Sequence, residues 1–474
     1  MGPSSTSVDA PCPVFPSDIL APIQRLPPEV LSEIFWQCIP REEDDDACDP
    51  RGVRWAIACS CSVWRQLALG QPRLWTTVIV SPTDDTLKHN ILQQHLLSSK
   101  KLKLKVALRG GEARFADVQL RILFETSRRW RLLDIRQPHD GVDYVFQYWS
   151  PSIFPVLEEV MMEAGTHAPT SDSDHEDLMA SMDRCKWEWF EEAPRLQRAC
   201  FCIPFGDSRV RLPPKTLHVA GLHAANRGLP KDLANPDLVE LVVIADLISM
   251  RETFGQPLLH ERLRRLRCVA ATLSNLDLPA LEELSVDDPT WLERINEAHS
   301  IPDTSQYAVQ DLIGFLDRSK CRLRNLHIYD LKMTMDERLL SEVFPRLTGS
   351  LKSVGLTVAP SDEQTGRIWR ALKKGESEDA PGAVPLLREI DLAFPDQDQV
   401  PLLESVTTCL ADMLLSWKEQ LKEVRLDVID KNYTTRMEEL CINELEGLGV
   451  KVFGATPGHW LVFQGPWLDR ENWS

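Results

Sequence analysis

The pair of residues nearest to an enzyme signature is His260-Glu261, which opens the H-E-x-x-H spacing that sets two imidazoles on one helix face around zinc. Arg264 stands where the second histidine is required, and that removes the site. Glu42, Glu43, Asp44, Asp45, Asp46 and Asp49 offer oxygen ligands. Consecutive carboxylates repel one another, however, and lack the glycine that turns a calcium loop, so residues 41–54 read as a solvated insertion. Residues 172–177, with His175 among them, read as an acidic loop. Ser171 and Ser173 suit an acidophilic kinase, and a phosphate there would repel its neighbours rather than fold them. The phosphate cradle G-x-x-x-x-G-K-[ST], the dinucleotide turn G-x-G-x-x-G and the nucleophile elbow G-x-S-x-G do not occur. The expectation is a chain without catalytic residues, metal or cofactor.

Twelve cysteines occur without a C-x-x-C pair, which reads as buried free thiols in a reducing compartment, cytoplasmic or nuclear. The sequons at Asn432 and Asn472 then carry no meaning. A net charge of −18 over 474 residues repels phosphate backbones, so nucleic acid is not an expected partner. No stretch approaches the roughly 20 apolar residues of a membrane span, and the start lacks a basic, then apolar, leader. Two basic runs, Lys100, Lys101, Lys103, Lys105 and Arg262, Arg264, Arg265, Arg267, alternate with apolar residues and read as the wet face of strands. Their second reading is a patch for an acidic partner.

The elements that must position any site follow from the patterning. Residues 1–21 are rich in Pro, Ser and Thr, the composition of a loose tail. Leu26-Pro27-Pro28-Glu29 opens a helix, because proline is tolerated in a first turn. Leu31, Ile34, Phe35 and Cys38 then share one apolar face. A second helical stripe carries Ile57, Cys61, Trp64 and Leu67, stopped at Gly70, and residues 74–80 have the composition of a strand. The short helical segment holds more large apolar groups than it can cover alone, so a partner is expected to cover the remainder.

From about residue 81 one phrase recurs, an apolar anchor followed by apolar residues three and five positions on. It appears at Leu157, Leu196, Leu238, Leu263, Leu281, Leu323, Leu351, Leu387 and Leu421. Such a phrase turns the chain and feeds alternate side chains of a short strand into a core, as stacked leucine-rich units require. Helical spacing lies between phrases, as at residues 307–316 and 335–344. Gaps run from 18 residues (Leu263 to Leu281) to 42 (Leu196 to Leu238), so the units are irregular, and residues 165–183, 289–302 and 373–385 read as inserted loops.

The segment from Ile23 to Leu31 with Ile34-Phe35, continued by Ile57, Cys61, Trp64-Arg65, Leu67-Ala68 and Pro72-Arg73-Leu74-Trp75, resembles an F-box. Residues 127–135 and 154–159 are similar to downstream phrases of the F-box proteins expanded in mushroom-forming fungi. Ser60 and Ser62-Val63 depart from the pattern, which implies reduced adaptor affinity with the main anchors kept. The resemblance implies an α/β chain: a small all-helical F-box at residues 22–80, then an irregular leucine-rich-repeat solenoid at 81–474 with a parallel sheet on its concave face. It implies that Leu26, Pro27, Ile34, Phe35, Cys61, Val63, Trp64, Leu67 and Trp75 form the module's core and its face for a Skp-family adaptor. A cullin would join through that adaptor, and the repeat region would hold an unidentified protein substrate. The alternative is a ligase-independent interaction scaffold.

Overall fold

A computed structural model describes residues 22–39, 46–110, 115–138, 145, 154–165, 186–187, 190–203, 209–210, 212–213, 215–224, 235–245, 257–287, 307–334, 336–357, 363–373, 385–393, 404–427, 446 and 451–454. The tail, residues 41–45, the Ser171/Ser173 loop, most of the other two inserted loops and both sequons lie outside them. The chain divides into two units, Met1–Arg136 with Tyr144–Trp149, and Gln137–Asp143 with Ser150–Ser474. It is an α/β protein built on parallel sheet and helices.

In the first unit, α1 (Pro28–Cys38) starts on Pro28, and Leu31 and Phe35, one turn apart, are its buried residues. The second helical stripe is not one helix. It splits into α2 (Val53–Ser60) and α3 (Ser62–Gly70) at Cys61, whose backbone is extended (φ −159°, ψ 169°) and whose Sγ accepts the Trp64 N–H at 3.4 Å. A cysteine acting as N-cap breaks a pattern that periodicity alone reads as continuous. The expected strand at residues 74–80 is likewise shorter. Pro72–Trp75 forms a 3-10 turn, and β1 begins at Thr77 and ends at Val80.

Parallel β1, β2 (Leu104–Arg109) and β3 (Trp130–Pro138) pair in that order, with α4 (Thr86–Ser98) and α5 (Asp117–Phe124) in the two connections. The described end of the acidic insertion is not simply solvated. Asp46 bridges to Ile79, the Ala47 N–H donates to the Ile79 carbonyl at 2.7 Å, and Ala47 and Cys48 are buried. The edge strand β1 thereby gains a partner for part of its open side.

The second unit carries β4 (Glu159–Gly165), β5 (Arg198–Ile203), β6 (Val219–Ala224), β7 (Glu240–Ala245), β8 (Arg265–Val269), β9 (Glu283–Asp287), β10 (Asn325–Ile328), β11 (Ser353–Thr357), β12 (Glu389–Ala393), β13 (Glu423–Asp427) and β14 (Lys451–Gly454). These pair in parallel, each beside the next of the series, while the short strands Lys186–Trp187 with Arg209–Val210, and Leu258–Leu259 with Leu276–Asp277, pair apart from them. Every recurring phrase coincides with one of these strands, and all nine anchor leucines are buried. Each fully buried large apolar side chain of this file contributes about 1.5–3 kcal/mol.

Helices α6 (Ala308–Ser319), α7 (Glu363–Leu372) and α8 (Glu404–Ser416) occupy connections between β9 and β13. The helix expected over residues 335–344 is present from residue 337 to 347, with a π turn at Leu339–Val343 inside it and Phe344–Leu347 as its last α turn. Pro345 has no N–H to continue an α ladder, and the Phe344 N–H reaches back to the Leu339 carbonyl. Among the described residues, the connections between β4 and β9 contain no α-helix, only the 3-10 segment Ala270–Asn275. No helix among them is long and apolar enough to cross a membrane.

The basic runs do not form a wet strand face. Lys100, in the left-handed region at φ 51°, sits with Lys101 in a turn before β2, and Arg267 is buried. The described cysteines are free, but Cys38 and Cys59 are exposed rather than buried.

Candidate functional site

The residues singled out near the start separate into an inside and an outside. Phe35 and Trp75 are fully buried in a cluster with Leu31, Ile39, Ile57, Ala58, Ala68 and Leu74. Trp75 is held from three sides. Its Nε1–H donates to the Ala68 carbonyl at 2.8 Å, and Trp55 and His95 meet its ring edge-on at 4.9 and 5.1 Å between centroids. Leu26, Trp64 and Leu67 are half-buried against this core, with Trp64 tilted on Phe35 at 5.0 Å. Ile34 and Cys61 are also half-buried, and Pro27 and Val63 are exposed.

What the module leaves uncovered is therefore not its largest rings. Pro27, Val30 and Ile34 follow helical spacing along a stripe beside the buried Leu31/Phe35 stripe, and Val30 is 44% exposed. On α3, Val63 is 62% exposed, with the half-buried Leu67 one turn on. Trp36, half-buried, carries the Arg73 guanidinium over its ring at 4.0 Å. Exposed Val30 and Ile23 were not among the predicted contact residues. Val30 shares the helical spacing of Pro27 and Ile34, and the packing shows that the core takes the Leu31/Phe35 stripe instead.

Beneath the cluster lies a second constrained group. Arg54 is buried, and its Nε donates to the Leu74 carbonyl at 2.8 Å. His95 Nε2 lies 3.1 Å from the Thr77 carbonyl. Burial, aided by the nearby Arg54 guanidinium, pushes the His95 pKa down to about 3, so the ring is neutral. Burial and the Asp46 carboxylate push the Cys48 thiol up to about 12, which removes it as a nucleophile at neutral pH.

The second unit contains a polar row that the sequence reading missed. Arg267, Ser285, His327, Gly355, Asp391 and Arg425 stand opposite one another on successive strands β8 to β13. Apart from Arg425 they are buried, on the sheet face opposite the anchors. Arg267 Nε donates to Asp287 at 2.7 Å, and its guanidinium lies 6.0 Å over the Tyr329 ring. Burial alone would lower the Arg267 pKa, but the Asp287 carboxylate outweighs it and the pKa rises.

His327 crosses the glycine of β11 and brings Nδ1 to 3.8 Å from Asp391. Burial first, then the Arg425 and Arg267 cations, push the His327 pKa down to about 4, so a neutral imidazole faces the carboxylate and this is not an ion pair near pH 7. Serine, histidine and aspartate in file invite comparison with an acyl-transfer triad. The geometry does not supply one, because Ser285 Oγ makes no hydrogen bond and a nucleophile must lie within bonding reach of its base. Among the described residues no group of three or more His, Cys, Asp or Glu side chains could hold a metal ion.

Comparison with known proteins returns no matching family model and no matching curated sequence.

Proposed function

We propose that this chain is a substrate-recruiting adaptor: the helical module docks on a Skp-family adaptor, a cullin-RING ubiquitin ligase joins through it, and the second unit, an irregular leucine-rich solenoid, holds the target protein. The observation that carries this reading is that the apolar side chains of Pro27, Val30 and Ile34, at the start of and along α1, and of Val63 on α3 lie outside the buried core of the module. Their helices carry the F-box-like motif, and apolar groups clustered outside a core mark interaction surfaces. The chain itself does no chemistry under this reading. A partner enzyme modifies the target faster because the target is held at high effective concentration.

Co-purification with a Skp-family adaptor tests this, using Val30→Glu and Val63→Glu. Both positions are exposed, so the thermal midpoint should stay put while adaptor recovery falls by about tenfold or more, the loss of roughly 1.4 kcal/mol of binding. Trp75→Ala cannot make the distinction, since removing a fully buried tryptophan costs about 3–5 kcal/mol of stability. No adaptor recovered with the wild-type chain removes the reading. Adaptor recovered without cullin leaves an interaction scaffold instead.

A further inference from the structure

The second unit has a regular backbone device at the edge where its strands begin. The carbonyl of the residue just before a strand accepts two N–H groups from the next unit: Arg264 takes those of Glu282 and Glu283, Glu282 those of Arg324 and Asn325, Arg324 those of Lys352 and Ser353, and Lys352 those of Arg388 and Glu389. The Arg388 carbonyl continues the series to Lys422. These residues are thereby held one strand spacing apart, about 4.8 Å. Arg324, Lys352, Arg388 and Lys422 thus stand as like charges on adjacent strands. Lys320 joins them from the end of α6, in the left-handed region at φ 48° where glycine is usual.

At the Arg324, Lys352 and Lys320 end of this series opens a cleft of about 530 Å³. Among the described residues, Arg264, Lys320, Arg322, Arg324 and Lys352 line it, with Glu282 as the one carboxylate. Among the described residues, Arg324 alone of the five is ion-paired, to Glu282 at 3.1 Å. Pro279 and Leu386, both exposed, give the cleft an apolar wall. Five basic side chains along one cleft, with one carboxylate among them, repel one another, and an anionic occupant would turn that repulsion into attraction.

We propose that this cleft binds an acidic peptide segment of a partner protein, through carboxylate or phosphoserine groups on the arginine and lysine side chains, with the apolar wall taking a neighbouring side chain. A peptide with a few charges, screened over about 8 Å, responds to this local cluster, whereas a polyphosphate backbone meets the net charge of −18 over its whole length. The inference is independent of adaptor docking, because the peptide site and the helical module are tested by different ligands.

Fluorescence anisotropy on the full chain tests it, with three labelled peptides of equal length: one rich in Asp and Glu, one carrying phosphoserine, and one neutral with Asn, Gln and Ser. The wild type should bind the acidic peptides about tenfold or more tighter than the neutral one, and Arg322→Ala/Lys352→Ala should lose about tenfold. Lys100→Ala/Lys101→Ala removes the same charge from the first unit and should leave the titration unchanged. Both cleft positions are exposed, so unfolding midpoints should not move, and Lys352→Glu read in the same titration gives a second variant. Tighter binding of the phosphoserine peptide than of the Asp/Glu peptide identifies phosphate as the recognised group, and the reverse order identifies carboxylate. Equal affinity for the neutral peptide, or equal loss in both double variants, overturns the proposal. So does tighter binding of a single-stranded oligonucleotide of the same charge, or displacement of the peptide by inorganic phosphate at the peptide's own concentration.

Discussion

Gly355→Ala isolates a single packing relation in the buried polar row. A Cβ at this position would overlap His327 Nδ1 and lie 2.9 Å from Cγ and 3.2 Å from Cβ of the same ring. Real Cβ atoms essentially never come closer than 3.0 Å, and the imidazole is buried, so the ring must leave its place across β11. Two effects oppose. Alanine lowers the conformational freedom of the unfolded chain, which stabilises by about 0.4–1 kcal/mol where the backbone tolerates it. Overpacking a filled interior costs about 1–3 kcal/mol, and that range exceeds the gain. A net loss of about 1–2 kcal/mol is expected, read as a lower urea midpoint with unchanged slope. His327→Ala combined with Gly355→Ala should cost less than the sum of the two single changes by about 0.5 kcal/mol or more, because the first substitution removes the atoms that the second strikes. If Gly355→Ala alone unfolds at the wild-type midpoint, or if the two changes simply add, the ring does not lie across the glycine and the row as described is wrong.

Gly314 lies inside α6 with nothing within 4 Å of an added Cβ, so Gly314→Ala should stabilise the chain by about 0.8–1 kcal/mol in the same titration. His95 titrates far below its ordinary 6.5, near about 3, so the unfolded chain takes up a proton that the folded chain refuses in that window. Its contribution is complete above pH 6.5 and declines as pH falls toward 3, at about 1.4 kcal/mol per pH unit. Comparing urea midpoints of wild type and His95→Gln from pH 7 to pH 4 should show the variant losing less stability on acidification. Parallel pH profiles would mean that this ring is not the group responsible.

The anchor phrases were legible without a fold because they encode a local rule: after a turn, alternate residues of a strand face one way, so apolar groups at the first, fourth and sixth positions announce the buried side. The same rule holds where leucine does not lead. Trp75 just before β1 with Val78 and Val80 on it, and Trp130, Leu133 and Ile135 on β3, keep the spacing and are buried. A search keyed to leucine passes over them. The helical start was legible through Pro28 and the Leu31/Phe35 stripe, but the break at Cys61 was not, because periodicity carries no record of a thiol accepting a backbone N–H.

The sequence by itself determined which residues belong to the apolar file, since burial of that side follows from strand periodicity and the free energy of removing hydrocarbon from water. Tertiary structure alone decided the fate of the opposite side. Arg267, Ser285, His327 and Asp391 have the composition of a wet face and are buried in register on four strands of the second unit. It also decided that Trp75 belongs to the interior while Val63 stays in solvent. Whether a polar side chain meets water or protein depends on segments distant in the chain, and no local pattern carries that information.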